Sequence, residues 1–155
     1  MSTKARVGVG TKFKLGDGAS PENFTAIAEI RTIKFSGTKV TLVKVTNMDS
    51  PASSTGLIYE EYIAGTADGG SCDFTADFLP GDATQLAYSA AIDGKAHDFQ
   101  ILLPLNPASS PVVTFGHYSF QGIIQEDAKD FPVDKEMSLT GKIQITGPVF
   151  FTANA

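Results

Sequence analysis

Asp134-Lys135-Glu136-Met137-Ser138-Leu139-Thr140-Gly141-Lys142-Ile143-Gln144-Ile145-Thr146 is the stretch from which the rest of the chain is read. Taken alternately, Met137, Leu139, Gly141, Ile143 and Ile145 fall on one side of a strand. Glu136, Ser138, Thr140, Lys142, Gln144 and Thr146 fall on the other. Side chains of a strand alternate faces with period two, so the pattern predicts one apolar face and one uninterrupted wet face. Such a strand closes a core on one side and lines something aqueous on the other.

Working outward, the same period recurs. Ser71 to Phe78 sets Cys72, Phe74, Ala76 and Phe78 against Ser71, Asp73, Thr75 and Asp77, and Lys95 to Leu103 sets Phe99 and Ile101 against Asp98 and Gln100. Residues 11–15, 24–35 and 39–46 are also strand-like, with Gly16-Asp17-Gly18 and Ser36-Gly37 as turns between them. Tyr59 to Ala64 is expected to pair with Ser71 to Phe78 around Gly65 to Gly70. Val112 to Gln125 reads as a long strand apolar on both faces, buried twice or covered by a partner. Glu126 to Asp130 reads as the turn into the final strand. The apolar tail Val149-Phe150-Phe151 is expected to add an edge strand or to dock on something.

The period changes once. Asp82 is a suitable N-cap after Pro80-Gly81, and Gly94 is a stop, which predicts a helix over about Asp82–Ala91. Its stripe of Ala83, Leu86, Ala87, Ala90 and Ala91 is expected to lie on a sheet. Seven to nine strands and one helix make a mainly β chain, an antiparallel sandwich or partial barrel with a flanking helix.

Bulk properties bound what such a chain does. With 155 residues, one domain spanning 1–155 is expected, with a flexible N-terminus to about 10, a long loop at 47–56 and a tail from 147 to 155. Net charge of −5 argues against a surface that grips nucleic acid. The charge is uneven, since residues 1–44 carry eight Lys and Arg against three acids, and 45–98 carry nine acids against Lys95 alone. Mixed in the fold this is an ordinary surface; segregated, it lets copies dock head to tail. A single Cys72 rules out an internal disulfide, so folding in a cytosol is expected. No run is long and apolar enough to suggest membrane insertion.

Chemistry is hard to assemble from these residues. His97 and Asp98 are strand neighbours on opposite faces, and Cys72 falls in a core row. Asp73 and Asp77 share a face but stand about 13 Å apart. No catalytic, cofactor or metal residues are expected, and the chain does not read as an enzyme. The loop Asn47-Met48-Asp49-Ser50-Pro51-Ala52-Ser53-Ser54-Thr55 is long for a compact domain. It is either a surface loop or an arm ordered by a neighbour.

Several segments together carry a resemblance: GVGTKFKLGDGASPENFTAIAEI near the start, YEEYIAGTADGGSCDFTADF, LPGDATQLAYSAA, HDFQILLP, and FQGIIQEDAKDFPVDKEMSLTGKIQITG at the close. In that order, over roughly residues 8 to 148, they resemble the major tail tube proteins of lambda-like, long-tailed bacteriophages. The resemblance implies a helix-flanked β-sandwich that assembles into stacked six-fold rings, making a hollow virion tail for genome ejection. It implies partners: further copies, a tape-measure protein, tail tip and terminator proteins, and DNA passing without specific binding. It implies assembly in the bacterial cytoplasm. Asn47, Met48, Asp49, Ser50, Pro51, Ser53 and Ser54 would be the ring-contact loop. Asp73, Thr75, Asp77, Glu136, Ser138, Thr140, Lys142 and Gln144 would face the lumen, where water-holding, non-basic walls let phosphate slide. The alternatives are a contractile-tail or secretion tube, or a monomeric β-sandwich that binds glycans or a host surface.

Overall fold

A computed structural model describes residues 8–47 and 55–153. The elements run β1 (Lys12–Gly16), β2 (Phe24–Ala26), β3 (Ile30–Phe35), β4 (Lys39–Lys44), β5 (Tyr62–Asp68), β6 (Ser71–Asp77), α1 (Ala83–Ala90), β7 (His97–Leu102), β8 (Leu105–Asn106), β9 (Val113–Thr114), β10 (Gly116–Asp130) and β11 (Ser138–Ala153). Seven strands form one antiparallel sheet in the order β2-β1-β7-β10-β11-β6-β3. β4 pairs with β5, and β8 with β9, as separate two-stranded ribbons.

The large sheet rolls back on itself. Phe13 of β1 and Phe74 of β6 stand four strands apart in the sheet order, yet their ring centroids are 5.0 Å apart. Phe35 on the β3 edge meets Phe120 of β10 at 5.4 Å. The apolar rows of β6 (Cys72, Phe74, Ala76) and β11 (Leu139, Ile143, Ile145) therefore face Phe13, Phe99 and Ile101 across a shared interior. This is the predicted partial barrel, and the deciding stretch does alternate between core and solvent.

α1 closes the interior with residues other than those expected. Its N-cap is Asp82, which accepts from the backbone N–H of Thr84 and Gln85 at 3.1 Å each; the Thr84 hydroxyl first, and then these bonds, hold the Asp82 carboxyl below its usual range. The stripe of Ala83, Leu86, Ala87 and Ala90 is exposed, and the buried residues are Gln85 and Tyr88. The helix lies where strand ends need capping. Gln85 accepts from Leu79 N–H (2.9 Å) and donates to the carbonyls of Asp77 (2.7 Å) and Ala28 (3.2 Å). Tyr88 fills the interior edge-on against Phe74 and donates to the Glu126 carbonyl at 2.9 Å. Burying those backbone groups unpaired would cost more than burying an alanine stripe would gain.

Two further expectations change, and that of the tail narrows to an edge strand. β5 pairs with β4, not β6, and Gly65 lies inside it; a Cβ there would sit 3.2 Å from the Thr41 carbonyl, so glycine marks a close approach instead of a turn. Residues 126–130 do not turn. They continue β10, with Glu126, Ala128 and Asp130 opposite Lys142, Thr140 and Ser138. The apolar tail extends β11 to Ala153, pairing Phe150 with Ser119 and Phe151 with Tyr118 beyond a bulge.

Candidate assembly surfaces

The outward face of β10, β11, β6 and β3 gathers the residues that the sequence marked as wet. Ser138, Thr140, Lys142 and Gln144 lie in register with Asp77, Thr75, Asp73 and Ser71. Seven of the eight candidate lumen residues thus form two adjacent rows on one face. The eighth, Glu136, precedes β11 and is tied to the end of that face through Arg31, which reaches Asp77 at 2.5 Å and Glu136 at 3.6 Å. The residue's own backbone bond, and then Arg31, hold the Glu136 carboxyl below its usual range. Gln144 donates to the Gly70 carbonyl at 3.0 Å, fixing the corner where β5 passes into β6. Sequence reading missed Thr32, Lys34 and Glu126, which complete the same rows from the flanking strands. A bulge at Ile30/Thr32 hides the alternation of β3, and a second at Ile124/Glu126 breaks that of β10.

The margins of this sheet are open among the described residues. β7 pairs with β10 only from His117 to Gly122, leaving one edge of Ile123–Asp130 without a strand. β3 pairs with β6 on one side only, and its residues Ile30–Ile33 share a groove of about 560 Å³ with Gly8–Thr11. β6 covers β11 only as far as Gln144, so residues 146–153 have a second open edge, with Phe150 and Phe151 exposed. Uncovered edges are templates for pairing with another chain.

β4 and β5 form an arm without a buried residue. Leu42 (63% exposed) and Val43 are consecutive, hence on opposite faces, and Val43 stands across from exposed Ile63. An isolated hairpin is marginal in water, and this one carries exposed apolar groups on both faces. Lys44 and Tyr62 grip Glu60 at 2.5 Å each, and both partners hold its carboxyl below the usual range. Of the candidate contact loop, Asn47 lies at the end of the arm; Met48, Asp49, Ser50, Pro51, Ser53 and Ser54 lie outside the described residues.

No protein-family profile matches this chain, and no curated protein does. Solved structures do. A chain in the tail of an empty gene transfer agent particle, determined with C6 symmetry, is 24% identical with a TM-score of 0.70, covering 96% of this chain and all of that one. The SPP1 tail tube is 15% identical with a TM-score of 0.64, over 96% of this chain and 79% of that one. A sheath–tube complex of an extracellular contractile injection system gives 11% and 0.66, over 98% and 95%. This chain has the fold found in tail tubes. The expected fold class is therefore correct.

Cys72 is buried in the core row beside Phe74, where burial pushes its thiol up to about 12. It is no nucleophile at neutral pH.

Proposed function

We propose that this protein is the structural subunit of a hollow tail tube, built by copies of itself in stacked, six-fold rings. The observation that carries the reading is the polar four-stranded face with open edges at β3 and β10. A soluble monomer has no use for such edges, and a ring removes them. The arm, together with the contact loop 47–56, meets a neighbouring copy, and the arm buries its two apolar faces there. The polar face, with Asp73, Thr75, Asp77, Glu136, Ser138, Thr140, Lys142 and Gln144, lines the bore. Its side chains hold water and mix charges of both signs, so DNA and a tape-measure protein pass without adhering. The working place is a virion tail assembled in the bacterial cytoplasm, and the role is structural, not enzymatic. The C6 symmetry of the gene transfer agent tail is the precedent for six copies.

Negative-stain microscopy of concentrated protein tests this: hollow rings or tubes are expected. A chain that stays monomeric at every concentration and in kosmotropic salt counts against the reading. Thr140→Cys then locates the face. In assembled tubes it reacts with small maleimides that enter the bore and is shielded from bulky ones; equal labelling by both would put that face outside. A tube within a contractile system is the second reading, favoured by the likeness to the sheath–tube complex. Particles seen with a shortened sheath would select it.

A further inference from the structure

One row of residues crosses four strands. Glu126 of β10, Lys142 of β11, Asp73 of β6 and Lys34 of β3 are successive register partners, so the signs read minus, plus, minus, plus. The next row is Ala128, Thr140, Thr75 and Thr32. One carboxylate oxygen of Asp73 is buried with no hydrogen-bond partner among the described residues, between the two lysine-bearing strands. Opposite charges directly across a strand pair attract. The row is favourable inside the chain and ends on a carboxylate at one margin and an ammonium at the other. Those are the two open margins of the sheet. The β10 margin carries Glu126, Asp127 and Asp130, and its one cation, Lys129, is held by Asp127 at 3.3 Å. The β3 margin carries Lys34 and no acid, and its other cation, Arg31, is held by Asp77 and Glu136.

We infer that β3 of one copy pairs with β10 of the next, Lys34 opposite Glu126 and Thr32 opposite Ala128, so the alternating row runs unbroken from copy to copy. This rests on the tube reading and names its junction. Charge complementarity selects the two edges. Strand direction agrees: β10, β11, β6 and β3 alternate, so β3 opposes β10. Rotation about the ring axis preserves each strand's sense, and the junction is antiparallel like the three pairings within the chain. Slippage by one residue would turn the polar row of one copy onto the apolar row of the next.

Two variants test the pairing. Lys34→Glu alone and Glu126→Lys alone place like charges at every junction. An equimolar mixture can alternate around an even-numbered ring with opposite charges at every junction. Each variant alone is expected to need about tenfold more protein than wild type to form rings or tubes, and the mixture to return to the wild-type threshold. The substitutions inside each copy are the same alone or mixed, so recovery reports the junction. Where a variant fails to fold by circular dichroism, a second measurement decides. Chains carrying both Lys34→Cys and Glu126→Cys, oxidised after assembly, give a ladder of disulfide-linked multimers, and either substitution by itself gives none. Tubes that form but stay uncrosslinked overturn the pairing and leave the tube reading standing. Variants that each assemble like wild type also overturn the pairing. A wild-type chain that never forms rings or tubes overturns both.

Discussion

Gly141→Ala adds one methyl group at the tightest point between wall and helix. Its Cβ would lie 2.2 Å from Phe74 Cε1, 2.5 Å from Phe74 Cζ and 2.5 Å from Tyr88 Oη. Carbon contacts are most favourable at about 3.5–4.0 Å, so both rings must retreat by an ångström or more. Neither has room. Phe74 is pinned by Phe13 at 5.0 Å and Tyr88 at 4.9 Å between ring centroids, and Tyr88 is fully buried. Overpacking of this kind costs about 1–3 kcal/mol. Driving Tyr88 Oη off the Glu126 carbonyl costs about another 1–3 kcal/mol if both groups lose their partner. The expected loss is about 2–6 kcal/mol, a large share of the roughly 5–15 kcal/mol that holds a domain folded. Urea unfolding of the monomer followed by far-ultraviolet circular dichroism measures it, since the chain has no Trp. Tyr88→Phe in the same chain removes the clashing oxygen, and the double variant should be more stable than the sum of the singles by about 1 kcal/mol. A loss below about 0.5 kcal/mol for Gly141→Ala, or strict additivity, refutes the packing argument.

Gln85→Leu keeps the bulk but strands two carbonyls and an N–H; a loss of about 2–4 kcal/mol is expected, with faster hydrogen exchange at the Leu79 amide, and unchanged exchange would contradict the capping role. Glu22 is raised by its burial and by Asp98 beside it. Its contribution to stability is therefore full below the ordinary glutamate pKa and is lost as pH rises through its folded value. Glu22→Gln should raise the melting temperature at pH 7–8 and leave it near wild type at pH 4, and the opposite trend would refute the assignment. Leu42→Ser with Ile63→Ser touches only exposed groups and should shift monomer stability by less than about 0.5 kcal/mol while abolishing assembly. Tubes seen by microscopy in that variant would remove the arm from the interface.

The parts legible in the sequence are those whose two faces differ. β6 and β11 alternate cleanly because one side meets the core and the other water, and their pairing follows from neither face alone. All eight proposed bore residues were read from such alternation, and seven of them lie in the paired rows of β6 and β11. The helix was legible from its cap, but its buried face was not: Gln85 serves Ala28, Asp77 and Leu79, and nothing local to the helix announces those strand ends. Gly65 looked like a turn because glycine usually is one, whereas here it admits the Thr41 carbonyl. The acidic run 126–130 looked like a loop because its apolar row is broken by a bulge. The apolar residues of the arm were visible, but not that the rest of the chain would leave them uncovered.

The polar face spans four strands, and four is even. Copies can be added or removed without ever forcing a parallel junction, so direction places no constraint on ring size. Each copy adds about 19 Å of circumference at a strand spacing of about 4.8 Å. Six copies give roughly 115 Å around and about 37 Å from backbone to backbone, before strand tilt widens it. One copy more or fewer shifts that diameter by about 6 Å. In the proposed tube the calibre is thus quantised by the width of a single polypeptide, and a plain measurement of diameter would count the subunits.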